Sequence, residues 1–277
     1  ISKVGGTARR NETVSHTYVG GSVHGVYKTR VGFRARHFEA REWGSRARLV
    51  RSDVMARPIE KVQLKGKTVD FREAAFQVVV ATDWFVADVG KGLMDWGPAP
   101  GSHLLLSAGT TPYAYARVRT SVGRVRFVHT VGFLEPRPGV IDSAKTRIDN
   151  GHVRTFPRRK HLGAHRIEIT LPRRLVLGLQ ESVVYGDRPP ELLYVTPVTV
   201  LAASQSYLGD TDNLLLGLDL TARPARNLRV LAALLFDDMV KFSPGDFANK
   251  FGLQLGALWV DPFGWTDTDL RTDFVRI

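Results

Sequence analysis

Apolar and polar positions alternate with a period of two over long stretches of this chain. From Leu175 the odd positions read Leu175, Leu177, Leu179, Val183 and Tyr185, and between them stand Val176, Gly178, Gln180, Ser182 and Val184. From Leu214 one set is Leu214, Leu216, Leu218 and Leu220, and the other Leu215, Gly217, Asp219 and Thr221. From Phe251 the sets are Phe251, Leu253, Leu255, Ala257 and Trp259 against Gly252, Gln254, Gly256 and Leu258. Successive side chains of a strand point to opposite faces, so each stretch predicts a strand with one apolar face. The second face is small or uncharged-polar, where a soluble sandwich carries mainly Lys, Glu and Thr. That pairing suits a transmembrane barrel, with lipid outside and a polar lumen inside. The leucine sets and Val183 are expected outward. Gly178, Gln180, Gly217, Asp219, Gly252, Gln254 and Gly256 are expected inward.

Strand-like segments bounded by Gly, Pro, Asn or Asp recur at 24–38, 46–54, 66–72, 75–89, 113–120, 122–134, 164–171, 174–185, 194–204, 213–222, 227–237 and 250–260. The fold class is therefore all-β: a partial antiparallel transmembrane β-barrel of roughly a dozen strands. Tight turns are expected at Pro172-Arg173-Arg174 and at Arg223 to Asn227, and longer connections at 135–160 and 186–193. Short helices are expected at 55–64 and 241–250, and nowhere else. No composition break divides residues 1–277, which read as one domain. The chain opens on Ile1. It reads as an internal or processed fragment, so an unpaired edge strand is expected near 1–38 or at the C-terminal end.

Composition adds less than pattern. The hydrophobic fraction of 43% is ordinary for a folded protein. No run approaches the roughly 20 apolar residues of a membrane helix. Cysteine is absent, which excludes disulfides and thiolate metal sites. The net charge of +12 favours an anionic partner: nucleic acid, lipid phosphate or an acidic polysaccharide.

The alternation also says which face carries the positive charge. Opposite Val31, Phe33 and Ala35 stand Arg34 and Arg36; opposite Val125 and Phe127 stand Arg124 and Arg126; opposite Ile167 stands Arg166; opposite Val230 stands Arg229. These six arginines are the candidate ligand residues of the lumen. The planar guanidinium pairs carboxylates bidentately, which suits uronic acids and other acidic sugars. Glu181 breaks the pattern, falling on the apolar face between Leu179 and Val183. A rim position or a bulge would remove the conflict. Trp84, Trp96, Trp259 and Trp265, with Tyr113 and Tyr115, are expected to anchor at the membrane interface as a girdle or to pack in the core, with stacking on sugars as the alternative.

Other chemistry is thin. His161 and His165 have helical metal-site spacing, but on a strand four residues span roughly 13 Å, too far for one ion. Asp237-Asp238 would point apart on a strand. Asp210-Thr211-Asp212-Asn213 lacks the glycine and distant Glu of a calcium loop. No phosphate-binding or nucleophile-elbow motif occurs.

A family resemblance joins these readings. Arg159-Lys160-His161-Leu162-Gly163-Ala164-His165-Arg166-Ile167-Glu168-Ile169 is followed by Leu177-Gly178-Leu179-Gln180-Glu181-Ser182-Val183-Val184-Tyr185-Gly186. Then come Thr196-Pro197, Asp212-Asn213-Leu214-Leu215-Leu216-Gly217 and Phe236-Asp237-Asp238. Trp96-Gly97-Pro98 and Leu104-Leu105-Leu106-Ser107 lie upstream, and Asn249-Lys250-Phe251-Gly252-Leu253-Gln254-Leu255-Gly256 downstream. In this order, over roughly residues 75–277, the chain resembles the capsule assembly Wzi family. The resemblance implies an outer-membrane β-barrel of Gram-negative bacteria that helps attach capsular polysaccharide, acting as a lectin rather than an enzyme. The expected partners are then acidic capsular polysaccharide and outer-membrane lipid, with no nucleic acid, cofactor or metal, and a monomeric state. The alternatives are an anion-selective porin, which needs only an open arginine-lined lumen, and a soluble β-rich domain acting on polysaccharide.

Overall fold

The structure, a computed structural model, describes residues 14–44, 61–65, 68–98, 104, 106, 112–134, 147–149, 152–154, 156, 158–237 and 250–277. The strands are β1 (Val14–Tyr27), β2 (Val31–Gly44), β3 (Lys61–Lys65), β4 (Thr68–Ala81) and β5 (Phe85–Gly92). They continue as β6 (Tyr113–Val122), β7 (Val125–Leu134), β8 (Arg147–Asp149), β9 (His152–Arg154), β10 (Lys160–Leu171) and β11 (Leu175–Gly186). After helices α1 (Leu192–Val195) and α2 (Leu201–Tyr207) come β12 (Asn213–Ala225), β13 (Leu228–Asp237), β14 (Lys250–Val260) and β15 (Asp269–Arg276). β8 and β9 form a separate hairpin. The other strands make one antiparallel 13-stranded sheet in the order β1-β2-β4-β5-β6-β7-β10-β11-β12-β13-β14-β15, with β3 beside the first residues of β4.

Chain neighbours are sheet neighbours nearly throughout, as in up-and-down barrels. Tight connections at 28–30, 82–84, 123–124, 172–174 and 226–227 gather at one end, joined there by the longer connection 261–268, and the other long connections lie at the opposite end. This is the asymmetry of bacterial membrane barrels. Among the described residues β1 and β15 each pair on one side, and the sheet is not closed.

Several expectations need correction. A single strand over 24–38 is instead a hairpin turning at 28–30, because Lys28 and Thr29 adopt positive φ. The strand expected at 75–89 divides at 82–84, where the Thr82 hydroxyl accepts the N–H groups of Trp84 and Phe85. Residues 61–64, expected as helix, belong to β3. Most of the expected strand 194–204 lies in the two helices. β12 runs on past Arg223-Pro224 to Ala225, with a bulge against β13 between Ala222 and Ala225 that accommodates the missing N–H of Pro224. β15 was not anticipated. The strand expected at 46–54 and the helix at 241–250 lie outside the described residues, apart from Lys250, which begins β14.

Register sorts the side chains as the alternation required. Leu179 stands opposite Ile167 and Leu218, and Gln180 opposite Arg166 and Gly217. Gly178, Gln180, Gly217, Asp219, Gly252 and Gln254 are buried, while Leu179, Leu220, Phe251 and Leu255 are exposed. The buried set faces inward, and one segment demonstrates it. Met94, Trp96 and Leu106 pack with Tyr113, Tyr115, Val128, Leu162 and Ala164, all on the polar-set face of β6, β7 and β10. Two residues before Leu106, the Leu104 N–H donates to Gln254 Oε1 of β14 at 3.3 Å. On a flat sheet β10 and β14, four spacings apart, would be about 19 Å distant. Residues 104 and 106 are separated by at most about 7 Å. A region that packs on the β6–β7–β10 cluster and also touches β14 fits a sheet curled around it, with the polar set on the concave face.

Candidate functional site

Two ionic clusters stand on the concave face. In the first, Asp88 of β5 is buried and accepts Arg117 Nε at 3.0 Å and Nη2 at 2.8 Å, Arg119 Nη2 at 3.2 Å and Gln77 Nε2 at 2.9 Å. In the second, buried Arg166 of β10 forks onto Asp219 of β12 at 2.6 and 3.0 Å, and its Nε donates to Glu168 at 3.0 Å. Glu168 also accepts Arg126 Nη1 at 3.1 Å. Asp219 is two strands away from Arg166, and the guanidinium reaches it across Gly178 of β11. A Cβ at Gly178 would collide with Asp219 Oδ2 and Arg166 Nη2, so this glycine opens the path between the charges.

Between the clusters lies a cavity of about 530 Å³. Arg117, Arg119, Arg126 and Glu168 line it from the strands, Trp84 from the β4–β5 turn, and Asp95 and Trp96 from the inward segment. It occupies the part of the lumen between that segment and the tight-turn end. A second cavity of about 280 Å³ is lined by Arg34, Arg36, Gln77 and Tyr115, and shares Arg117 with the first. A row of guanidinium groups therefore runs along the concave face from β2 to β7.

The six sequence-derived arginines divide by environment. Arg34, Arg36, Arg126 and Arg166 line the two cavities. Arg166 is a correction in role: its fork is filled by Asp219 and Glu168, which makes it a structural strut. Arg124 is a correction in place, because it sits in the β6–β7 turn rather than on the wall. Arg229 lies on β13 away from both linings, half-buried. Arg117 and Arg119 were missed, although the alternation in Tyr113-Ala114-Tyr115-Ala116-Arg117-Val118-Arg119 already put them on the face of the other arginines. Asp88 lies opposite Arg117 in the ladder, a pairing that requires the strand order.

The aromatic expectation also divides. Trp84 and Trp265 are exposed near the tight-turn end, where Phe263 bridges Trp259 and Trp265 with centroids 4.7 and 5.7 Å away. Tyr113, Tyr115 and Trp96 take the core-packing role instead, buried on the concave side.

Glu181 sits at neither a rim nor a bulge, since both its ladders are regular. It is on the convex face, where it accepts the N–H groups of Leu201 at 3.0 Å and Ala202 at 3.3 Å and a ring nitrogen of His165 at 3.0 Å. His129 Nε2 donates to the Val195 carbonyl at 2.8 Å, and its ring lies 4.8 Å from that of His165. The two helices are thus pinned on the convex face over Val183 and Tyr185. Val183, expected toward lipid, is on the expected face but fully covered by them. Beside this patch, the His161 ring packs against Phe133 and Tyr185.

No family model matches the chain, and no curated protein does. Among solved structures the chain is similar to OmpT, an outer membrane protein of Vibrio cholerae. The outer-membrane expressed form is 9% identical, with 97% of this chain and 88% of that one covered and a TM-score of 0.38. The in-vitro folded form is 9% identical, with 90% and 82% covered and a TM-score of 0.33. The chain is also similar to the ferric enterobactin receptor PfeA in complex with BCV-L6, at 10% identity, 95% and 41% coverage and a TM-score of 0.39.

Proposed function

We propose that this chain forms the wall of a bacterial outer-membrane β-barrel of the capsule assembly Wzi type, monomeric and non-enzymatic, that binds capsular or a related acidic polysaccharide at the cell surface. The observation that carries the reading is the cavity where Arg119 and Arg126 stand beside Trp84 and Trp96. Guanidinium groups suit sugar carboxylates, and indole faces suit the apolar face of a sugar ring. The membrane setting is supported by the exposed leucines and phenylalanines of the convex face, by strand lengths and by the sorting of turns to one end. The Wzi assignment rests on the ordered motifs between residues 75 and 277. Asp88, Glu168 and Asp219 all accept arginine hydrogen bonds, which favours a binding scaffold over a hydrolytic pair. A porin reading is weaker, because Met94, Trp96, Leu104 and Leu106 pack on the concave face and take up part of its space.

Arg119 and Arg126 are the residues to change, since each gives one hydrogen bond to a neighbouring carboxylate and keeps its side chain partly exposed. Partly exposed ion pairs contribute about 0.2–1 kcal/mol each, so Arg119→Gln with Arg126→Gln should weaken acidic polysaccharide binding roughly 2- to 30-fold at low salt. Unchanged affinity in a barrel that still assembles would remove this cavity from the binding site.

A further inference from the structure

Between β11 and β12 the chain leaves the sheet and folds back over its convex face. Tyr194 covers Gly163, where a Cβ would meet the Tyr194 carbonyl oxygen at 2.9 Å, and its ring packs on Tyr185 with centroids 4.9 Å apart. Tyr194, Leu201, Ser204 and Gln205 form the buried side of this segment. The opposite side is also apolar: Leu192 is 73% exposed, Val198 90%, Val200 60% and Tyr207 83%. From Leu192 to Leu208 there is no Asp, Glu, Lys or Arg, in a chain whose charged fraction is 24%. The charges resume at once on both flanks, with Arg188 and Glu191 before and Asp210 and Asp212 after.

A loop that projects into water turns polar groups outward. In this one most polar side chains bond the chain's own backbone instead. The Thr196 hydroxyl donates to Leu192 O at 2.9 Å, that of Thr199 to Leu193 O at 2.6 Å and that of Ser204 to Val200 O at 3.0 Å. Gln205 Nε2 donates to Asp212 O at 2.6 Å. Internal satisfaction of polar groups is what contact with lipid demands.

We infer that Leu192–Leu208 is a membrane-interface segment, lying against the barrel wall with Leu192, Val198, Val200 and Tyr207 in the headgroup–acyl boundary. The occupant of this apolar side is lipid because the segment continues the lipid-facing wall. It covers Glu181, Val183 and Tyr185 of β11, and the next residue on the same face, Leu179, is exposed about 7 Å further along the strand. Interfacial segments bury their apolar side about 5–10 Å into this boundary, and Tyr207 has the amphipathic ring enriched at that depth. The inference rests on the outer-membrane reading proposed above.

Residues 1–277 contain no cysteine, so single-site labelling needs only that any cysteine outside them be replaced by serine. Val198→Cys and Tyr207→Cys would be labelled with an environment-sensitive fluorophore in the full-length protein and reconstituted into phosphatidylcholine vesicles with or without brominated lipid. Leu179→Cys serves as the wall control and Arg173→Cys, in a tight turn, as the aqueous control. Labels at 198 and 207 should emit to the blue and lose most of their emission to brominated lipid, as at 179, while the label at 173 keeps its emission. Quenching at 179 without quenching at 198 and 207 overturns the interface segment and leaves the barrel intact. Absence of quenching at 179 removes the membrane reading and the inference with it. Energy transfer between donor- and acceptor-labelled pools at 198, without lipid quenching, would assign the surface to a second copy and overturn the proposal equally.

Discussion

Arg166 and Asp219 are both buried, and each is the other's principal partner. Removing one partner strands the other charge, at about 3–5 kcal/mol. Arg166→Gln should therefore lower the urea midpoint of the assembled protein strongly, while Arg126→Gln, at an exposed position, should hardly move it. Tyr194 offers a pH handle outside the strands. Burial pushes its phenol above the ordinary value of 10, and the hydrogen bond it donates to Asp212 at 2.8 Å adds to the shift. A folded-state pKa above the unfolded one favours the protonated form, so this contribution is complete below pH 10 and is lost as pH rises through the folded value. Alkaline titration followed by tyrosinate absorbance should show Tyr194 among the late-ionising phenols, its ionisation accompanied by release of the helices. Tyr194→Phe should reduce the late absorbance change by one phenol's share. Arg188 also contacts Asp212; burial alone would lower its pKa, but the hydrogen bond and charge of Asp212 raise it, so the guanidinium stays charged throughout.

At the scale of elements, helix α2 starts where the Glu181 carboxylate accepts two backbone N–H groups, and no charged residue of its own supports it. Hydrogen bonds to charged groups contribute about 1.5–3 kcal/mol each when a partner is removed. Glu181→Gln should accelerate amide hydrogen exchange at Leu201 and Ala202 while leaving β10 and β11 protected. Equal protection in both proteins would show that packing by Tyr194 and Leu201 is sufficient. The inward segment is held at Trp96, which bridges to Leu106, and at Leu104 against Gly252 and Gln254. Trp96→Ala should loosen it and raise single-channel conductance in planar bilayers; an unchanged conductance would mean that other parts of the protein close the lumen.

For the whole molecule, the two faces of the sheet make opposite demands. A cation on a lipid-facing wall costs about 2–4 kcal/mol near the bilayer midplane, and lumen substitutions mostly tune selectivity. Leu179→Arg should thus impair folding into vesicles, and Ser182→Arg, on the other face of the same strand, should impair it less. Equal effects would break the assignment of faces. The two coverings, helices outside and Met94, Trp96, Leu104 and Leu106 inside, meet opposite sides of the sheet in its long-loop half. That arrangement leaves the tight-turn half with an exposed apolar wall outside and an arginine-lined cavity inside.

Local pattern alone determined the strands from β6 onward through β14 apart from the small β8–β9 hairpin, the opposite faces of the leucine and the glycine–glutamine sets, and the concentration of arginine on the polar face. A strand's period of two is a property of the backbone, so it is legible without knowing any partner. The tertiary structure decided which arginines remain available: Arg166 is consumed by Asp219 through the gap at Gly178, a contact between residues 53 apart in the chain. It also decided the fate of 194–204, whose Val and Thr residues read as strand. Glu181 and His129, distant in sequence, fasten that segment as helices instead. Glu181 looks like an error on an apolar face until the helix it caps is seen, because a buried charge is explained by its partners, and partners are set by the fold.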